Sequence, residues 1–154
     1  IQEKYAEVAA TPEKGFHFHT GYRLTEILDY PSDIIGRLPA AAVGSFAGVG
    51  NPRSLGPVEE GWAVVDTGSG AGLDTLIAGV KVGATGHVIS VDMTVEMLEK
   101  ARASANRLGY DYVEFREALV RYQVNHAIAY YQINRVVIHQ QARRGTLTRR
   151  WKAF

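Results

Sequence analysis

No cysteine occurs among the 154 residues, which removes disulfides and thiolate metal sites and suits a cytoplasmic protein. No apolar run approaches the roughly 20 residues that a membrane helix needs, and no secretory signal is legible at the start. A membrane partner is therefore not expected. Acidic side chains stop at Glu117: all 16 Asp and Glu lie at or before it, whereas seven of the 17 Lys and Arg lie after Ala118 (Arg121, Arg135, Arg143, Arg144, Arg149, Arg150, Lys152). The formal net charge of +1 hides this break, and such a shift marks a boundary. What is present is ordinary for one globular domain with a real core: 46 % hydrophobic and 21 % charged residues.

The informative stretch is VVDTGSGAG, Val64 to Gly72, followed twenty residues later by Asp92. Val64 and Val65 are β-branched and read as the end of a buried strand. Gly68, Gly70 and Gly72 let the backbone turn sharply into a helix and let a ligand approach closely, while the helix N-terminus offers N–H groups. After the helix LDTLIAGVKVG, the run HVISVDMT supplies a second strand ending in Asp92, placed to accept hydrogen bonds from two ribose hydroxyls. The pair of loop and strand-end acid predicts a nucleotide-sized site.

The spacing separates two ligand classes. A dinucleotide fingerprint, G-x-G-x-x-G, requires glycine at position 73, but Leu73 stands there and the third glycine comes one place early at Gly72. Asp66 stands two residues before the first glycine. An acid followed by G-x-G-x-G, with a second acid closing the next strand, resembles the class I S-adenosylmethionine-dependent methyltransferases, and NAD becomes the alternative. SFAGVGNP (Ser45 to Pro52), GSGAGLD (Gly68 to Asp74), ATGHVISVDMTVEMLEKARASA (Ala84 to Ala105) and YVEFREA (Tyr112 to Ala118) resemble the branch that contains arsenite methyltransferases. The resemblance runs over roughly residues 1 to 118. It implies an α/β fold, a partial Rossmann-like doubly wound parallel sheet, with S-adenosylmethionine as cofactor. It implies cofactor-binding roles for Asp66, Gly68, Ser69, Gly70, Gly72, Asp92, Met93 and Glu117. Asp66 has a second reading, as a residue that fixes the glycine loop through backbone N–H groups. Val49 stands where arsenite methyltransferases carry a metal-binding cysteine, and its methyl groups cannot replace a thiolate toward As(III).

The rest divides into an N-terminal helical cap (1–60), the cofactor core (61–118) and a divergent basic tail (119–154), all in one compact domain. IQEKYAEVAA has helical spacing, and the remainder up to residue 30 reads as a loop with aromatic anchors. In the resembling family this region lies over the cofactor, which implies that Tyr5 and Phe16 contribute to a lid. His17 and His19 would share a face on a strand, but two ligands are too few for a metal site. Ser32 is expected to cap one short helix, and Pro39 to begin another through Ala42 and Val43. Strand Trp62 to Asp66, helix Leu73 to Lys81, strand His87 to Asp92, a helix capped by Thr94 and ending between Asn106 and Gly109, and a third strand in YVEFRE form a βαβαβ run. From Val120 onward, steps of three and four residues predict a long amphipathic helix; a pair of strands is the rival, because Val120, Tyr122 and Val124 alternate and VVI is β-branched.

The resemblance implies further strands and an acceptor pocket that residues after Ala118 do not match, so the chain reads as a truncated methyltransferase-like protein. No catalytic residue is assigned, since transfer to a soft or neutral nucleophile needs none. The alternatives are a non-catalytic oligomeric binding protein, with a homodimer covering the sheet edge, and a nucleic-acid binder using the tail's arginines with Tyr122, Tyr130, Tyr131 and Trp151 as stacking groups. The methyl acceptor is not legible.

Overall fold

The structure, a computed structural model, describes residues 2–11, 19–52, 56–118, 132–133 and 136–140. Four helices precede the sheet: α1 (Gln2–Ala10), α2 (Gly21–Ile27), α3 (Ser32–Ile35) and α4 (Ala40–Gly44). Then come β1 (Ala63–Thr67), α5 (Leu73–Val82), β2 (His87–Asp92), α6 (Val95–Leu108), β3 (Val113–Glu117), β4 (Gln132–Ile133) and β5 (Val136–Gln140).

The five strands lie in the order β3-β2-β1-β5-β4. β1 pairs in parallel with β2 (Asp66 opposite Ser90) and with β5 (Asp66 opposite His139). β3 runs parallel to β2, with Glu117 opposite Asp92, and only the two-residue β4 is antiparallel, against β5. Strand order thus reverses at β1, and in open α/β sheets such a reversal leaves a crevice at the carboxyl ends of the strands.

Apolar spacing explains how the layers close. On α5, Leu73, Leu76 and Ile77 pack with Ala105 of α6 and with Leu24, Tyr30, Ile35, Leu38, Ala42, Val43 and Phe46 of the N-terminal helices and their loops. Ala78 and Val82 of the same helix join Val64, Val88 and Val113 of the three strands. Val8 of α1 meets Ala71 and Met97, so the first helix lies beside the glycine loop. Gly109, at φ 72°, closes α6 in the left-handed conformation that glycine adopts most readily. Tyr30 fastens the N-terminal layer to the core: its O–H donates to buried Asp74 Oδ1 at 2.7 Å, and its ring meets Phe46 edge-on at 5.4 Å. Tyr30→Phe removes a charge-assisted hydrogen bond worth about 2 kcal/mol. Its expected result is a melting midpoint lower by roughly 4–8 °C in scanning calorimetry.

Four expectations are corrected. The segment 20–28, expected as loop, contains α2, whose Leu24 and Thr25 are buried and whose Gly21 N–H donates to Phe46 O at 2.8 Å. Ser32 is the first residue of α3 and makes no capping bond; Pro31 holds the N-cap position, its carbonyl accepting from Ile34 and Ile35. Pro39 likewise occupies the N-cap of α4 rather than its first turn. The long helix expected after Val120 is replaced at 132–133 and 136–140 by strands, because β5 completes the second hydrogen-bonded edge of β1. The other tail residues, and with them the proposed base-stacking aromatics and arginines, lie outside the described residues, as do Phe16, His17 and the side chain of Tyr5. His19 is exposed. Among the described residues no helix is long and apolar enough to cross a membrane, and no cluster of three metal-binding side chains occurs.

Candidate cofactor-binding site

The loop between β1 and α5 is pinned to the end of β2. Gly68 and Ser69 N–H groups both donate to Val91 O, at 2.7 and 3.1 Å. Gly70 N–H donates to Asp92 Oδ2 at 2.8 Å, and the other carboxylate oxygen of Asp92 accepts from Thr94 N–H at 2.8 Å. Asp92 therefore joins the loop to the start of α6. Thr94 sits at the N-cap as expected, but its hydroxyl makes no capping bond; Asp92 takes the backbone bond there instead. With 9 % of its surface exposed and one protein donor named for each oxygen, the Asp92 carboxylate keeps lone pairs for a diol.

The glycines divide by what surrounds them. Gly68, Gly70 and Gly72 all have positive φ, at 73°, 54° and 86°. Apart from its chain neighbours, a Cβ at Gly68 or Gly70 would meet no atom of the described residues within 4 Å, whereas one at Gly72 would stand 2.8 Å from Ala101 Cβ of α6. Gly72 is a packing glycine, and the other two border open space. At the start of α5, the N–H groups of Leu73, Asp74 and Thr75 have no acceptor within the helix, as in every helical first turn. The loop itself is less generous with donors than its sequence implies, because the N–H groups of Gly68, Ser69, Gly70 and Gly72 are all directed to protein oxygens.

Asp66 is 1 % exposed, and its Oδ2 accepts the Thr75 O–H at 2.6 Å. This bond ties the end of β1 to the first turn of α5, beside the glycine loop. Ser69 is buried with its Oγ 2.7 Å from Ser90 Oγ. Met93 is half-buried between Asp92 and Thr94. Glu117 is exposed at the end of β3, opposite Asp92 in the register, and Ala118 N–H donates to Asp92 O at 3.0 Å. Asp66, Asp92, Met93 and Glu117 thus lie at the carboxyl ends of β1, β2 and β3, and Gly68 to Gly72 lie in the loop that follows β1.

Thr75 and Ser90 escaped the sequence reading. Both are completely buried. The signal for Ser90 was available, since it is the polar residue at an inward position of HVISVD, directly across from Asp66. Thr75 has no such signal until α5 is laid on β1.

These residues fit S-adenosylmethionine: open space beside two glycine backbones would admit its thin amino-acid end, and a strand-end carboxylate with spare lone pairs would meet a ribose diol. Val49 is exposed in the loop after α4.

Residues 58–136 match the model of a family described as "Methyltransferase domain", a match that reaches past Ala118 to the first residue of β5. The arsenite methyltransferase of Halobacterium salinarum is 41 % identical over 92 residues, covering 60 % of this chain and 23 % of that protein. The arsenite methyltransferase of Aquipseudomonas alcaligenes is 42 % identical over 65 residues, 40 % of this chain and 19 % of its own. Among solved structures, a SAM-dependent methyltransferase from Aquifex aeolicus is 33 % identical, with 44 % of this chain and 35 % of that one covered and a TM-score of 0.40. The matches to these two curated relatives span less than a quarter of each. Since the family match covers half of the chain and contains the glycine loop and Asp92, the protein belongs to the methyltransferase-domain family.

Proposed function

We propose that this chain is the cofactor-binding part of a methyltransferase, holding S-adenosylmethionine across the carboxyl ends of β1 and β2. The observation that carries the reading is the open space beside Gly68 and Gly70, bounded by a loop that four hydrogen bonds and one hydroxyl pair hold in shape. Gly68 and Gly70 admit the ligand against the backbone, Asp92 accepts from the ribose, and the first turn of α5 presents N–H groups. Met93 and Glu117 border the adenine end. The bound cofactor supplies a methyl group on a positively charged sulfur, so the protein's part is to position it, exclude water and present an acceptor in line.

These residues offer no thiolate for As(III), so capture of that ion is not part of what this chain itself supplies. The acceptor pocket is to be completed by residues outside the described set or by another chain, a second copy being the simplest. Zero cysteines also favour a cytoplasmic setting.

Gly70→Ala tests the reading. Among the described residues the added methyl meets nothing within 4 Å beyond its chain neighbours, so the penalty seen there in the free protein is the positive φ, about 1–2 kcal/mol. Against bound ligand it fills the space that the ligand needs. A fall in S-adenosylhomocysteine affinity of at least about tenfold, with the protein still folded, is expected by calorimetry. Unchanged affinity, or NAD binding more tightly than S-adenosylhomocysteine, would sink the proposal.

A further inference from the structure

Three hydroxyls run in a line beneath the glycine loop. Ser69 Oγ is 2.7 Å from Ser90 Oγ, Ser90 Oγ is 3.1 Å from Thr75 Oγ1, and Thr75 donates to Asp66 Oδ2 at 2.6 Å. Each hydroxyl has one proton, and one orientation uses all of them: Ser69 donates to Ser90, Ser90 to Thr75, and Thr75 to the carboxylate. The line belongs to four elements, the loop, β2, α5 and β1. Thr75 and Ser90 are wholly buried, while Ser69 and Asp66 are 7 % and 1 % exposed, so water cannot readily take the place of a missing hydroxyl.

Ser69 is also the residue before Gly70, whose N–H meets Asp92. The corner Ser69–Gly70 is therefore held from two sides, by the hydroxyl line from below and by Asp92 from the side. We infer that Thr75 and Ser90 are positioning residues of the cofactor loop, acting through Ser69 to hold the Gly70 N–H against Asp92 and so keep the ligand space open. Neither touches the ligand. The inference rests on the cofactor reading for its purpose, but the loop geometry it predicts is observable without ligand.

The test is amide hydrogen exchange of the full chain, read at Gly70, with Val88 N–H as the internal control because it donates to Tyr112 O at 3.0 Å within the sheet. Thr75→Val keeps the shape and removes the hydroxyl, Thr75→Ser restores it, and Ser90→Ala breaks the line at its centre without removing Thr75 from Asp66. Exchange at Gly70 is expected to rise at least about tenfold in Thr75→Val and Ser90→Ala, with Thr75→Ser near the parent and Val88 unmoved. If Thr75→Val does not fold, Ser90→Ala gives the reading. Gly70 exchange at the parent rate, or a rise shared equally by Val88, overturns the inference, the second because it marks a merely structural role. S-adenosylhomocysteine titrations of the same proteins separate the two claims: affinity should fall about tenfold alongside the exchange change. A parent protein that binds no ligand yet shows the Gly70 effect contradicts the cofactor reading alone.

Discussion

Asp92→Ala lowers affinity for S-adenosylmethionine by at least about a hundredfold, or roughly 3 kcal/mol, in a calorimetric titration. Two losses combine. The ribose acceptor disappears, and so do the two charge-assisted bonds from Gly70 and Thr94 N–H groups, each worth about 1.5–3 kcal/mol to the shape of the loop and the start of α6. Asp92→Asn gives an intermediate result, because a carboxamide retains one accepting oxygen while its NH₂ faces one of the two backbone donors. Ala binding within about threefold of the parent would show that the carboxylate serves architecture alone.

Gly72→Ala unfolds the protein at lower temperature without help from any ligand. The residue is the N-cap of α5 at φ 86°, where an L side chain is strained by about 1–2 kcal/mol, and its Cβ would sit 2.8 Å from the Cβ of fully buried Ala101. Overpacking adds about 1–3 kcal/mol, which together with the strain predicts a melting midpoint lower by about 5–15 °C. Ala101→Gly relieves the collision at the expense of about 1 kcal/mol of helix propensity. The double variant should therefore be more stable than the two single losses predict, by over about 0.5 kcal/mol. Strict additivity would mean that the contact between loop and α6 is not what demands glycine at this position.

How far the sequence foretold these positions depends on whether the force that sets them is local. The βαβαβ run was legible because each segment carries its own signal: β-branched strands, helical spacing on α5 and α6, and glycines at the turns. The bounds of β2, His87–Asp92, came out unchanged. Helix α2 was missed because Gly21 is a poor helix starter and its stability comes from burying Leu24 against distant residues of α4 and α5. Strand β5 was missed for a related reason. The β-branched run Val136, Val137 and Ile138 pointed to a strand, but the three- and four-residue steps from Val120 favoured a helix, and what makes the run a strand is pairing with β1, some seventy residues earlier. The site divides the same way. Gly68, Gly70 and Asp92 were readable from spacing, whereas Thr75 enters only when α5 packs on the sheet and brings its hydroxyl to Asp66.

The purpose of this loop is tested most directly by titrating the purified full chain with S-adenosylmethionine and S-adenosylhomocysteine in a calorimeter, with folding verified on the same sample. Saturable binding at micromolar concentration, with one ligand per chain, is the predicted result. A folded protein that takes up neither compound would contradict the account, leaving the glycine loop and Asp92 as architecture.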